Sequence, residues 1–208
     1  MSIVQGLDQV LTSARAERAI LEWLKNNPLV LSEALARGRF GTYVVAEFPF
    51  GNDFRADFVL LSPFSGGWDV HFVELEPANE KLFTSAGNPA KRLTTAVTQV
   101  SSWKIYVEKN RDAVLKNLSK YAKERELLSE RNGSEPIDAA GWPLYHPQSW
   151  LVWHYHIVIG RRSDLKEKDM ERKSSFLANQ GVEVLTYDRL LDGHERNLSE
   201  SMRIQGVK

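Results

Sequence analysis

The sequence predicts an α/β fold, a mixed central β-sheet with helices on its faces. Three observations carry that prediction. Three β-prone runs between residues 42 and 76 are separated by short turn signals, which favours an antiparallel meander. A helical run follows, in which Leu93, Ala96, Val97, Val100, Trp103 and Val107 stand at offsets 0, 3, 4, 7, 10 and 14, one face of a helix. Further β-prone runs then alternate with a charged helical segment, as crossover connections do.

Element by element, Ser13 is placed to cap a first helix whose Ala16, Ile20, Leu21 and Leu24 share one face. Asn26-Asn27-Pro28 breaks it, residues 29–36 begin a second short helix, and Gly38 and Gly41 close this part. The strand-like runs are 42–48, 54–61 and 68–76, with turns at Phe50-Gly51-Asn52-Asp53 and Pro63-Phe64-Ser65-Gly66-Gly67. Pro77 ends the third strand, and a loop with Gly87-Asn88-Pro89 leads to the long helix. A charged helix spans about 112–129, and residues 131–149 read as a loop rich in Gly and Pro. A strand at 150–160, a helix at 164–180, a short strand at 182–187 and a helix capped by Asp188 complete the chain, with a polar, fraying tail from Asn197.

Composition narrows the function classes. The chain has 27 Lys and Arg against 27 Asp and Glu, which excludes a uniformly basic nucleic-acid coat and a uniformly acidic tail. It has no cysteine, so disulfide frameworks, thiolate zinc sites and cysteine nucleophiles are excluded. No secretory signal opens it and no run reaches the roughly 18 apolar residues of a membrane span, so a soluble cytoplasmic domain is expected. Phosphate loops, dinucleotide-binding glycine motifs, nucleophile elbows and His-Glu-x-x-His are all missing, and no nucleotide cofactor is expected.

Two groups of residues can carry chemistry. Glu74 and Glu76 share one face of the third strand, and Asp57 on the second strand can approach Glu74 where the sheet ends. Carboxylates converging at a strand end suit a hard divalent cation such as Mg²⁺. The same alternation also describes a strand with one solvated face. His154 and His156 flank Tyr155 and share a strand face, a spacing found in zinc and iron sites, with His146 or His71 as a third ligand from elsewhere in the chain. A half-polar sheet face is the plainer reading of that pair.

Asp57 followed seventeen positions later by Glu74-Leu75-Glu76, in a meander, resembles the PD-(D/E)XK nuclease superfamily. Val73-Glu74-Leu75-Glu76-Pro77, Leu82-Phe83-Thr84, Gly87-Asn88-Pro89 and Gln99-Val100-Ser101-Ser102-Trp103 resemble, in that order, the nuclease domain of Shedu anti-phage defence proteins. The segments 20–28 and 181–191 are similar to that family's first helix and its ending, so the likeness runs from about 15 to about 192. The resemblance implies a restriction-endonuclease-like core in a single nuclease-like domain over 1–208, with a polar tail at 193–208. It implies Mg²⁺ or Mn²⁺ held by Asp57 and Glu74, with the Leu75 carbonyl as a further ligand, and Gln99 positioning a water or phosphate. The catalytic set is then Asp57, Glu74, Glu76 and Gln99 and the substrate DNA, and the chain acts alone, with a partner or as a homo-oligomer, with no membrane partner.

One position departs from the pattern. The superfamily has lysine where this chain has Glu76. A glutamate can bind a second metal or act as general base. Otherwise Lys81 or Lys91 supplies the cation, or the domain binds DNA without cutting it. Glu17 and Glu22 on the first helix can add a further carboxylate. The flat net charge also conceals a split. Residues 48–80 carry six acids and one base, and residues 91–125 carry nine bases and three acids. An acidic metal-binding meander beside basic helices fits a nucleic acid held at one place.

Overall fold

A computed structural model describes residues 3–13, 17–36, 41–128 and 133–204, the last eight of these by backbone alone. The element order is α1 (Ile3–Ser13), α2 (Glu17–Asn26), α3 (Leu29–Leu35), β1 (Tyr43–Phe50), β2 (Phe54–Phe64), β3 (Gly67–Leu75), α4 (Lys91–Lys109), α5 (Arg111–Arg125), β4 (Trp150–Val158), α6 (Glu167–Gln180), β5 (Glu183–Leu185) and α7 (Asp188–Ile204). A 3-10 turn at Arg162–Asp164 precedes α6.

The five strands form one mixed sheet in the order β1-β2-β3-β4-β5. The meander is antiparallel, β3–β4 and β4–β5 are parallel, and helices cover both faces. Sheet topology follows from connection length. Ser65 and Gly66 alone join β2 to β3, since Phe64 pairs with Gly67, whereas α4 and α5 intervene before β4. Pro63 sits inside β2, beyond Leu61, where the pairing with β1 has stopped and its missing N–H costs no bond on that side.

Two apolar layers sandwich the sheet. On one face Trp68, Val70 and Phe72 of β3 meet Leu93, Val100 and Trp103 of α4. On the other, Val73 and Leu75 meet α1 to α3 and Leu190 of α7, with Leu7, Ile20, Leu24 and Leu31 fully buried. All six residues of the periodic run in α4 are buried, as their spacing requires.

Several expectations change. Residues 3–13 are themselves helical, and Ser13 ends α1 rather than capping α2. Its hydroxyl donates back to Gln9 O, a bond within the preceding turn. Ala16 and Gly38 lie outside the described residues. Asp188 is the first residue of α7, and its carboxylate accepts from Arg162 N–H at 2.6 Å and Arg161 Nε at 3.2 Å. The backbone is helical through Ile204, where a fraying tail from Asn197 was expected, and His194 is buried against Glu33 of α3. Among the described residues no helix is long and apolar enough to cross a membrane.

The meander alternation slips at one place. In β2, Ala56 faces the α4 layer, whereas Phe58 and Leu60 face the opposite one. In β1, Val45 and Phe48 face the same layer although three positions apart. Between them Glu47 has φ +50°, the left-handed region that a non-glycine residue enters at a cost. Both slips fall where the sheet opens.

Gly160 follows β4 at φ +65°, and a Cβ there would stand 2.5 Å from Glu80 O. Its N–H donates to Pro77 O at 3.3 Å, so this close approach seats the segment after β3. Gly160→Ala is therefore expected to destabilise the fold by about 1–3 kcal/mol, read from the urea midpoint.

Candidate functional site

The ladder between β2 and β3 ends at Phe58↔Val73. The next pair in that register is Asp57 and Glu74, and it lies where the strands part. Leu75 N–H donates to Asp57 Oδ2 at 2.7 Å, so a side chain takes a bond that a strand carbonyl would otherwise make. Glu76 N–H turns the other way and donates to Val158 O at 2.8 Å. Glu74 therefore points toward the α4 layer, and Gln99 Nε2 of that helix donates to Glu74 Oε1 at 2.8 Å. The Tyr187 hydroxyl, at the start of α7, donates to Glu76 O at 2.8 Å and fixes the strand end from the other side.

The acids at this end are buried: Glu74 is 9% exposed and Glu76 5%. Burial is the main reason that the Asp57 and Glu74 carboxyls hold protons well above the usual carboxylate range. For Asp57 the Leu75 N–H opposes the shift, and Glu17, Glu47 and Glu76 add to it. For Glu74 the neighbouring charges of Asp57, Glu17 and Glu76 add to it and Gln99 opposes it. The two titrate as a pair, so protons leave the site in steps that belong to both. Burial also pushes Glu76 up to about 7, against the pull of the Arg92 guanidinium and with the help of Glu17 and Glu80.

Of the two helix glutamates, Glu17 joins this field, and its own carboxyl is raised mainly by burial. Glu22 instead pairs with Arg18 at 2.8 Å and with Lys25 at 3.1 Å. Neither Lys81 nor Lys91 makes an ion pair with the acids among the described residues. The cation at the cluster is Arg92, whose Nη1 stands 3.7 Å from Glu76 Oε2. That separation is a charge contact, and the buried Glu76 Oε2 has no hydrogen-bond partner.

Chemically this is an oxygen-only donor set with an excess of negative charge, which suits a hard cation. The unsatisfied, buried Glu76 Oε2 fits that reading. Among the described residues no three or more His, Asp or Glu side chains gather closely enough to hold a metal ion. A Mg²⁺-sized ion commonly takes one or two protein carboxylates and completes its shell with water and phosphate oxygens, so Asp57 and Glu74 with their neighbours remain compatible with it.

The histidines lie on the opposite face of the sheet. His71 is paired across the strands with His154, and its Nδ1 is 3.0 Å from His156 Nε2. The third histidine is therefore His71, whereas His146 stacks on Trp142 at 4.6 Å. His154 Nε2 meets Asp69 Oδ1 at 3.0 Å. His156 Nδ1 lies 3.0 Å from Glu183 Oε2 but off the line of a ring N–H hydrogen bond. The His71 and His156 rings are 15° from coplanar with centroids 5.3 Å apart, so they meet edge to edge. The facing nitrogens of His71 and His156 are hydrogen-bonded to one another, and the row is a half-buried polar network beside a cavity of about 230 Å³. Sequence spacing found the His154–His156 pair but not Asp69 or Glu183, which only strand register brings alongside.

Residues 14–191 match the family described as Shedu protein SduA, C-terminal. No curated protein matches the chain.

Without divalent metal, the acid cluster sets a pH dependence of stability. Carboxyls with raised proton affinity in the fold favour the folded state while protonated, so the cluster's contribution to stability is fully present below about pH 4 and is lost as pH rises through about 7 to about 9. Glu74→Gln keeps an acceptor for Gln99 and removes the charge. In EDTA it is expected to flatten that slope and to be more stable than wild type at pH 9 by on the order of 1 kcal/mol or more, measured by urea unfolding across pH.

Proposed function

The chain belongs to the Shedu family through a match that covers residues 14–191, and on that premise we propose that it is a metal-dependent DNA endonuclease with a restriction-endonuclease-like core. Family membership supports a role in anti-phage defence. The observation that carries the chemistry is the acid pair at the open end of the meander, with the half-buried Asp57 on Leu75 N–H and the buried Glu74 on Gln99. We read residues 1–208 as a single nuclease-like domain.

Asp57 and Glu74 would hold Mg²⁺ or Mn²⁺. When bound, such an ion lowers the pKa of a coordinated water and offsets charge on the phosphate. The protein residues do the rest. Leu75 N–H fixes one Asp57 oxygen and leaves the other for the ion. Gln99 holds Glu74 in place through its amide N–H, and its amide oxygen can orient a water. Glu76, with a proton affinity near neutrality, is suited to take the proton from an attacking water. Tyr187 holds the backbone of Glu76 and so keeps that base in register.

A second reading has its own observation. The strand position that resembles the superfamily lysine is Glu76, so the fold could bind DNA without cutting it. Cleavage of DNA by the purified protein in Mg²⁺ separates the two. Asp57→Asn and Glu74→Gln each remove part of several kcal/mol of charge stabilisation, so each is expected to slow cleavage by roughly a hundredfold or more. Full activity in both variants would sink the nuclease assignment. DNA binding without cleavage in the wild type would favour the second reading.

A further inference from the structure

A phosphodiester is an anion, and the acids at the end of β3 repel it. Glu74 and Glu76 are buried there beside Asp57, and the contact with a cation found among the described residues is that of Glu76 with Arg92. Without a divalent ion on Asp57 and Glu74, a phosphate drawn to this site needs a cation that is both near the acids and open to solvent. The surrounding basic residues divide on that criterion.

Three of them face Glu47 rather than the acids of β3: Lys25 bonds its carboxylate directly, and the exposed Arg18 and Arg55 lie at 3.5 Å and 3.6 Å. Arg92 faces Glu76. It stands in the first turn of α4, seven residues before Gln99 and hence two turns away along the same side of the helix. Its side chain is 55% exposed, and its contact with Glu76 Oε2 is 3.7 Å, too long to use a donor in a hydrogen bond. A guanidinium presents five N–H donors in a planar fork that matches two phosphate oxygens. Glu76 thus holds the charge of Arg92 beside the site while leaving the fork open.

From this juxtaposition we infer that Arg92 is the group that binds the phosphate to be cut, in the position beside Glu76 and on the helix that carries Gln99. The inference rests on the nuclease reading for the identity of the substrate as a nucleic-acid backbone. Arg92 makes and breaks no covalent bond. Its donors meet the charge that builds on the two non-bridging oxygens as the attacking and leaving oxygens come into line.

The test uses the full chain with Arg92→Gln and Arg92→Lys. Because the side chain is more than half exposed, both variants should stay folded, which urea unfolding checks. The first readout is binding of a labelled DNA duplex in EDTA across a salt series. Arg92→Gln should reduce the slope of log K against log salt by about 1, and Arg92→Lys should keep it. The second readout is Mg²⁺-dependent cleavage, which should fall by about 10²–10³-fold in Arg92→Gln and less in Arg92→Lys. An unchanged salt slope, or a wild-type cleavage rate in Arg92→Gln, overturns the inference. If the wild type cuts no DNA, the nuclease chemistry fails by itself, and the salt slope alone decides whether Arg92 holds the phosphate.

Discussion

The hydrogen bond from Leu75 N–H to Asp57 is the constraint on which the rest of this structure turns. It replaces one rung of the β2–β3 ladder with a carboxylate, just past the last backbone pair at Phe58↔Val73. A carboxylate that does this has to sit between strands, out of water, and burial is what raises its affinity for a proton. The opening also lets the β1–β2 ribbon slip in phase, and Glu47 takes up the slip in a left-handed conformation. Glu47 then gathers Lys25, Arg18 and Arg55 on the outer side of the opening. Among the described residues, the cation in contact with the inner acids is Arg92.

The two faces of the sheet handle buried charge in different ways. On the face of the histidines, each carboxylate has an imidazole beside it: Asp69 with His154, and Glu183 with His156. The proximity of His156 holds the Glu183 carboxyl below its usual range. In that row each acid faces a ring nitrogen at 3.0 Å, with His156 Nδ1 off the line of a hydrogen bond. On the other face, Asp57 and Glu74 have one neutral donor each and further acids around them. Asp57 and Glu74 therefore remain short of positive charge. That imbalance, at the open end of a sheet, is what separates a candidate site from a structural polar row.

Much of the fold was legible because it depends on local periodicity. The α4 stripe from Leu93 to Val107, the three meander strands and the β-prone run of β4 all express spacing that burial then enforces. The acid pair was legible for the same reason, since antiparallel register after a two-residue turn brings Asp57 opposite Glu74. Helix α1 carries the same kind of signal, with Ile3, Val4, Leu7, Val10 and Leu11 at offsets 0, 1, 4, 7 and 8 on one face, of which Leu7 and Leu11 are buried. Two features cannot be read that way. Arg92 looked like one of nine bases in a basic stretch, and only the entry angle of α4 sets it beside Glu76. Asp69 and Glu183 meet the β4 histidines through parallel pairing, which sequence spacing does not encode, and the same pairing selects His71 over His146 as the third histidine.

The central claim is that the acid cluster exchanges protons for a divalent cation. Calorimetric titration of Mn²⁺ into metal-free protein at pH 7, in two buffers of different ionisation enthalpy, tests it most directly. The account predicts saturable binding whose heat differs between the buffers, with net proton release as Asp57 and Glu74 give up their protons to the ion. Absence of binding, or binding with the same heat in both buffers, would contradict it.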